Sequence, residues 1–189
     1  EENGIGEPGD PREFLRQFAT ILEPITDQLE DGSPILEPAS LESHKKAILE
    51  RLTREEQPRS IVLTGASRVG KTSLTRLVAR DLQKKGFIVI TATSANLQSG
   101  QSYIGQLEQR MLEFLRILRR RKVVWIADSF HELELAGRHQ YSPTSILDMI
   151  LPDLAEGNIL VIGETPESSL SKLKTSSPRI DTAVDILKI

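Results

Sequence analysis

The sequence contains no cysteine, and aromatic residues make up only 4% of its 189 residues. Without cysteine the chain has no disulfide, no thiolate zinc site and no cysteine nucleophile. This absence agrees with a reducing compartment, and we therefore expect a cytoplasmic protein. No apolar run approaches the ~20 residues that a membrane helix needs, so we expect no membrane as a partner. The three histidines show no metal-ligand spacing.

A large excess of charge is lacking as well, because the formal net charge is only −3 at pH 7. So small a charge gives no overall attraction to nucleic acid. The basic run at residues 119–122 has two interpretations: a nucleic-acid contact, or the end of a helix, where cations interact favourably with the helix dipole. Few aromatic side chains accompany it that could stack on bases. We favour the helix end and expect no nucleic acid as a partner.

What the sequence does contain is a complete G-x-x-x-x-G-K-T pattern between an apolar run at residues 61–63 and an amphipathic helical pattern. Glycines let such a loop approach phosphates, and its N–H groups and the helix N-terminus then face the anion. Lys71 supplies a charge for the β- and γ-phosphates, and the Thr72 hydroxyl is placed for Mg²⁺. The pattern predicts an ATP and Mg²⁺ site formed by Gly65, Ala66, Ser67, Arg68, Val69, Gly70, Lys71, Thr72 and Ser73.

Strand-like and helix-like segments alternate along the rest of the chain. The predicted strands are continuous apolar runs at residues 61–63, 87–90, 123–127, 159–162 and 183–189. Helical patterns begin at Pro11, follow the phosphate loop, and cover residues 41–54, 105–119, 143–155 and 167–174. Such alternation predicts an α/β fold, a parallel five-stranded sheet with helices on both faces. We divide the chain into a flexible linker (1–10), an N-terminal helical lead (11–40) and a phosphate-loop ATPase domain (41–189).

Asp128 directly follows the apolar run at residues 123–127. In phosphate-loop enzymes a carboxylate at this point lies beside the loop and orders Mg²⁺, usually through water. The alternative is an Asp that caps a following helix. After a complete phosphate loop we favour the first interpretation, which makes Thr72 and Asp128 the metal-binding residues.

These motifs, in their order, resemble the large subdomain of an AAA+ ATPase, and in particular the first ATPase module of the Clp unfoldase/disaggregase family. Further resemblances lie at residues 34–36, 96–110, 128–131, 159–165 and 178–181. The resemblance implies a phosphate-loop NTPase fold, and we expect the helical lid that follows this subdomain in the family to be absent from the sequence. The chain begins with Glu1 rather than Met, so we expect a part of a longer protein.

The resemblance also implies roles for single residues. Ile35 and Leu36 would contact the adenine, and Thr165 would contact the γ-phosphate or the attacking water. Arg179 would complete the site of a neighbouring subunit in a homo-oligomeric ring. Tyr103 would grip a protein or peptide substrate in the ring's pore, the alternative being an exposed loop aromatic without a role. We expect the chain alone to be monomeric.

Two departures from the family pattern, Ser129 and Arg68, bear on mechanism, and a third lies at Glu37 and Pro38. Ser129 stands where the family has its catalytic Glu, and a hydroxyl is a poor substitute for a general base. Glu132 could act in its place if the turn folds back. Arg68 replaces a Gly of the loop; its charge could help to hold phosphates, the alternative being a side chain that points into solvent. Glu37 with Pro38 replaces a Gly-Arg pair. We therefore expect a protein-remodelling ATPase whose hydrolysis is weak. The alternatives are a pseudo-ATPase that binds ATP for assembly, or a signalling ATPase of another branch.

Overall fold

The structure, a computed structural model, describes residues 10–27, 37–99, 105–119, 122–138 and 143–189. Within these residues six strands form one sheet: β1 (Thr20–Ile21), β2 (Ile61–Thr64), β3 (Ile88–Thr91), β4 (Val123–Ala127), β5 (Leu160–Thr165) and β6 (Asp185–Lys188). Their spatial order is β1-β3-β4-β5-β2-β6, and all neighbours are parallel except β1 and β3. The five predicted parallel strands are therefore confirmed, and a short antiparallel edge strand is added.

The helices are α1 (Pro11–Leu15), α2 (Ala39–Leu52), α3 (Lys71–Lys84), α4 (Ser94–Gln98), α5 (Gln106–Leu118), α6 (Ile146–Glu156), α7 (Glu167–Ser176) and α8 (Ile180–Ala183). A 3-10 helix, Phe130–Glu134, follows β4. None of the helices among the described residues is long and apolar enough to cross a membrane.

Apolar side chains from the two faces of the sheet enter two separate cores, as expected for a parallel sheet covered on both faces. The larger core lies beneath α5 and α6, and the smaller one beneath α2 and α3. On β4, Trp125 enters the larger core, and its indole N–H donates to the Ala92 carbonyl at 2.9 Å. Its neighbours Val124 and Ile126 enter the smaller core.

The structure corrects the N-terminal helical lead. The helix that begins at Pro11 ends at Leu15, although apolar residues at helical spacing continue along the sequence to Leu22. Thr20–Ile21 instead pairs with β3, and the Leu22 N–H donates to the Val89 carbonyl at 2.9 Å. Backbone pairing at the sheet edge therefore outweighs the local helical periodicity.

A further difference is α4 (Ser94–Gln98), a short helix that is absent from the predicted helical segments. Residues 96–98 belong to α4, because Thr93 and Asn96 form a capping box at its start. In this motif each side chain bonds the other residue's backbone N–H, so two otherwise unpaired donors are satisfied.

Candidate nucleotide site

The phosphate loop connects β2, in which all four residues are buried, to α3. Gly65 and Gly70 have positive φ angles of 149° and 100°, which favour glycine. A Cβ atom at Gly65 would lie 2.5 Å from the Ile189 carbonyl oxygen, so no larger residue fits there. The first turn of α3 contains no acidic residue of its own, so the positive end of the helix dipole is not neutralised from within the helix.

The Lys71 side chain folds back over this loop. Its ammonium donates to the carbonyl oxygens of Gly65 at 2.9 Å and Ala66 at 2.7 Å. The positive charge is thus held against the backbone that would surround a phosphate group. Residues 66–69 are exposed, so the rim of the loop is accessible from solvent.

Arg68 adopts a left-handed backbone conformation, with a φ of 66°. Such a conformation is uncommon for a residue with a side chain and is readily adopted by glycine. The observation gives a physical reason why the family pattern has glycine at this position. Among the described residues no ion pair involves Arg68, and it is exposed.

Glu164 was not predicted as a site residue, yet its carboxylate contacts the first turns of α3. It accepts hydrogen bonds from the Thr72 hydroxyl at 3.0 Å and from the Thr75 hydroxyl at 2.7 Å. β5 places it there by pairing with β2, where Glu164 lies opposite Leu63. Only 6% of Glu164 is exposed. The sequence signal that could have revealed it is a single charged residue within an otherwise uncharged strand.

Asp128 lies at the same end of the sheet. β4 pairs Ala127 with Gly163, so Asp128 and Glu164 are each the next residue on adjacent parallel strands. Asp128 is exposed to solvent on one side, but the surrounding protein still raises the pKa of its carboxyl by desolvation. We call Thr72, Asp128 and Glu164 the phosphate-loop edge.

The oxygen donors of this edge fit Mg²⁺. Hydroxyl and carboxylate oxygens are the ligands that Mg²⁺ takes, commonly one or two carboxylates completed by substrate phosphates and water. The described residues contain no group of three or more His, Asp and Glu side chains that could hold a metal by themselves. Thr72 and Asp128 could therefore hold the ion together with a bound nucleotide.

The two candidates for a catalytic base lie differently. Ser129 is half-buried and precedes the 3-10 helix. Glu132 is exposed, and its carboxylate accepts a hydrogen bond from the Ser94 hydroxyl at 3.3 Å. Ser94 follows β3, which lies on the side of β4 away from β2. The structure thus orients Glu132 away from the phosphate loop.

The remaining predicted residues are not brought together with the loop in one cluster. Thr165 is 1% exposed and pairs in register with Thr64, and strand alternation places its side chain on the opposite face from Glu164. Arg179 is exposed at the start of α8. Ile35, Leu36 and Tyr103 lie outside the described residues.

A parallel sheet with a phosphate loop after one strand and an aspartate after a nearby strand defines a phosphate-loop nucleotide-binding domain. The family model "ATPase family associated with various cellular activities (AAA)" matches residues 61–185. The chain therefore belongs to the AAA family of ATPases.

Curated relatives are Clp proteins. The chain is 27% identical over 162 residues to the ATP-dependent Clp protease ATP-binding subunit ClpE of Streptococcus pneumoniae, covering 75% of the chain and 21% of that protein. It is 30% identical over 125 residues to the chaperone protein ClpB of Tropheryma whipplei, covering 62% of the chain and 17% of that protein. The chain thus spans about a fifth of these relatives, and the predicted resemblance to Clp ATPase modules is confirmed.

Solved structures agree on the fold. A structure of the Saccharomyces cerevisiae Hsp104–casein complex in its extended conformation superposes with a TM-score of 0.71, at 21% identity, over 93% of this chain and 30% of that one. A closed-state structure of Hsp104 with ATPγS and FITC-casein gives a TM-score of 0.66, at 20% identity, over 78% of this chain and 26% of that one.

Proposed function

We propose that this chain binds ATP with Mg²⁺ and is a nucleotide-binding module of a Clp-like protein-remodelling ATPase. The observation that carries the proposal is the phosphate loop between β2 and α3, with the Lys71 ammonium held 2.7–2.9 Å from the loop carbonyls. Nucleotide phosphates would replace these carbonyls as partners of Lys71. The loop N–H groups and the N-terminus of α3 would bind the same phosphates.

Thr72 and Asp128 would hold Mg²⁺, and the bound ion would supply positive charge against the phosphates. Thr165 is proposed to contact the γ-phosphate or the attacking water, and Arg179 to complete the site of a neighbouring subunit. Ile35 and Leu36 would contact the adenine. Tyr103 would contact a protein or peptide substrate, a role suggested by relatives that are named as a chaperone and a Clp protease subunit.

We further propose that hydrolysis is slow. Ser129 has no carboxylate to accept the proton of the attacking water, and Glu132 points toward Ser94 rather than toward the loop. The same two observations favour a second candidate function, an AAA module that binds ATP to hold an assembly or a partner without rapid turnover. Turnover measured on the complete protein separates the two.

Nucleotide binding is tested by thermal unfolding with and without ATP and Mg²⁺. At 100 times the dissociation constant, ATP should stabilise the fold by about 2.7 kcal/mol, which is a shift of several degrees in melting temperature. Lys71→Ala should abolish the shift. Lys85→Ala, at the exposed far end of the same helix, is the matched control and should keep it. Equal flat responses of wild type and Lys71→Ala over millimolar ATP would reject the proposal.

We propose that residues 1–189 alone are monomeric with ATP, and that Arg179 acts only within a homo-oligomeric ring. Light scattering of the chain with ATP tests this, and a stable hexamer would contradict it.

A further inference from the structure

We propose that Glu164 is a positioning residue of the Mg²⁺–nucleotide site, acting through the hydroxyl of Thr72. The inference rests on the proposed function, because it concerns how this chain prepares its own residue for the metal. The role is separate from those of Lys71 and Asp128, which would contact the phosphates and the metal themselves.

The hydrogen bonds at Glu164 have only one possible direction when its carboxylate is ionised. A carboxylate accepts and cannot donate, so Thr72 must give its single hydroxyl proton to Glu164 at 3.0 Å. The lone pairs of the Thr72 oxygen then stay available for a cation. The Thr75 hydroxyl bonds the other carboxylate oxygen at 2.7 Å and fixes the plane of the group. Outer partners that orient a metal ligand in this way tune metal affinity.

The burial of Glu164 is hard to explain by stability alone. It is 6% exposed, and no lysine, arginine or histidine pairs with it among the described residues. A buried charge without a counter-ion is unfavourable, and two hydroxyl donors offset only part of the desolvation. A divalent cation bound at Thr72, next to Asp128, would supply the missing positive charge.

The phosphate-loop edge has a second carboxylate, that of Glu164, although position 129 has none. The family pattern would follow Asp128 with a Glu, and here Ser129 follows it. Glu164 restores an acidic group at the same end of the sheet, on the strand between β4 and β2. Its contact with the Thr72 hydroxyl assigns it to preparation of the metal ligand.

The test is the Mg²⁺ dependence of nucleotide binding. A fluorescent ATP analogue is bound to the chain, first with EDTA and then with increasing Mg²⁺. Glu164→Gln should raise the Mg²⁺ concentration for half-maximal enhancement by about 10-fold, the lower end for loss of such a partner. The Mg²⁺-free affinity should stay unchanged. Glu167→Gln, an exposed carboxylate on α7, is the control and should leave both quantities unchanged.

A double-mutant cycle tests the route through Thr72. Thr72→Val should weaken the Mg²⁺ effect, and adding Glu164→Gln should then change nothing further. Additive effects, or an unchanged Mg²⁺ requirement in Glu164→Gln, would overturn the inference. Should Glu164→Gln not fold, Glu164→Asp keeps the charge, shortens the reach to Thr72 and gives the same readout. A nucleotide affinity indifferent to Lys71→Ala would instead reject the proposed function.

Discussion

Two groups of carboxylates lie near opposite ends of α3, and the chain itself neutralises only one of them. Near the C-terminal end, Glu37 pairs with both Lys45 and Arg80, and Asp81 and Asp27 join them at 3.3–3.4 Å. We call these five residues the ion cluster. At the N-terminal end, Asp128 and Glu164 of the phosphate-loop edge have no cationic partner among the described residues.

The electrostatic consequences are opposite. Hydrogen bonds from Lys45 and Arg80 lower the pKa of Glu37 to about 2. Desolvation raises the pKa of Asp128, and no cation among the described residues opposes that shift. The ion cluster therefore stabilises the fold through cations of the chain itself, whereas the carboxylates of the phosphate-loop edge could bind a metal cation. Glu37, a departure from the family pattern, joins the segment before α2 to both α2 and α3 through these ion pairs.

The largest effect should come from adding a carboxylate to the edge. Ser129→Glu, made in the complete assembly, should raise ATP turnover by at least ~10-fold, because a positioned base contributes ~10²–10⁴. Glu132→Gln is the control, and its turnover should match wild type since Glu132 is oriented toward Ser94.

If Glu132 is instead the base, Ser129→Glu should change little and Glu132→Gln should remove the activity. Brisk wild-type turnover that survives Glu132→Gln would contradict both versions. The site would then activate the attacking water without Glu132 and without a carboxylate at position 129.

The next effect is on the stability of the ion cluster. Glu37→Gln should lower the unfolding free energy by about 1–2 kcal/mol, because charged hydrogen bonds to Lys45 and Arg80 are lost. The matched control is Glu42→Gln, which also removes a carboxylate paired with Lys45, at 3.2 Å, but one whose side chain is 58% exposed. That change should stay within about 0.5 kcal/mol. If urea unfolding gives equal losses of unfolding free energy for Glu37→Gln and Glu42→Gln, Glu37 contributes no more than an exposed ion pair.

Lowering the pH should change the contributions of Glu37 and Asp128 to the unfolding free energy in opposite directions. The pKa of Glu37 is lowered from 4.5 to about 2, so its stabilisation is present above pH 4.5 and is lost as pH falls toward 2. The pKa of Asp128 is raised above 3.8, so its contribution is greatest below that pH and is lost as pH rises through the folded-state pKa.

Urea unfolding from pH 7 to pH 2.5 measures both contributions. The gap between wild type and Glu37→Gln should shrink as pH falls through this range. Asp128→Asn should be slightly more stable than wild type at pH 7, and this advantage should vanish in acid. A gap at Glu37 that does not depend on pH would contradict the assignment.

How far the sequence predicts these regions depends on how local their causes are. The five parallel strands follow from apolar runs, and the loop follows from an eight-residue pattern, so both could be predicted. The contact between Thr72 and Glu164 joins residues 92 positions apart, and no local pattern encodes it. The hydrogen bond that orients Glu132 toward Ser94 likewise joins residues 38 positions apart.

The smallest effect concerns Arg68, the one departure that could bring a cation to the edge. Its φ of 66° disfavours any side chain, so Arg68→Gly should raise the unfolding free energy by up to about 1 kcal/mol, with Arg68→Ala giving no such gain. Because Arg68 is exposed, we expect nucleotide affinity to change by less than about fivefold, the equivalent of ~1 kcal/mol. A larger loss of ATP affinity, shared by Arg68→Ala but not by Arg68→Lys, would show that the loop supplies a phosphate-binding charge. The edge would then be partly neutralised by the chain itself, and its contrast with the ion cluster would be correspondingly smaller.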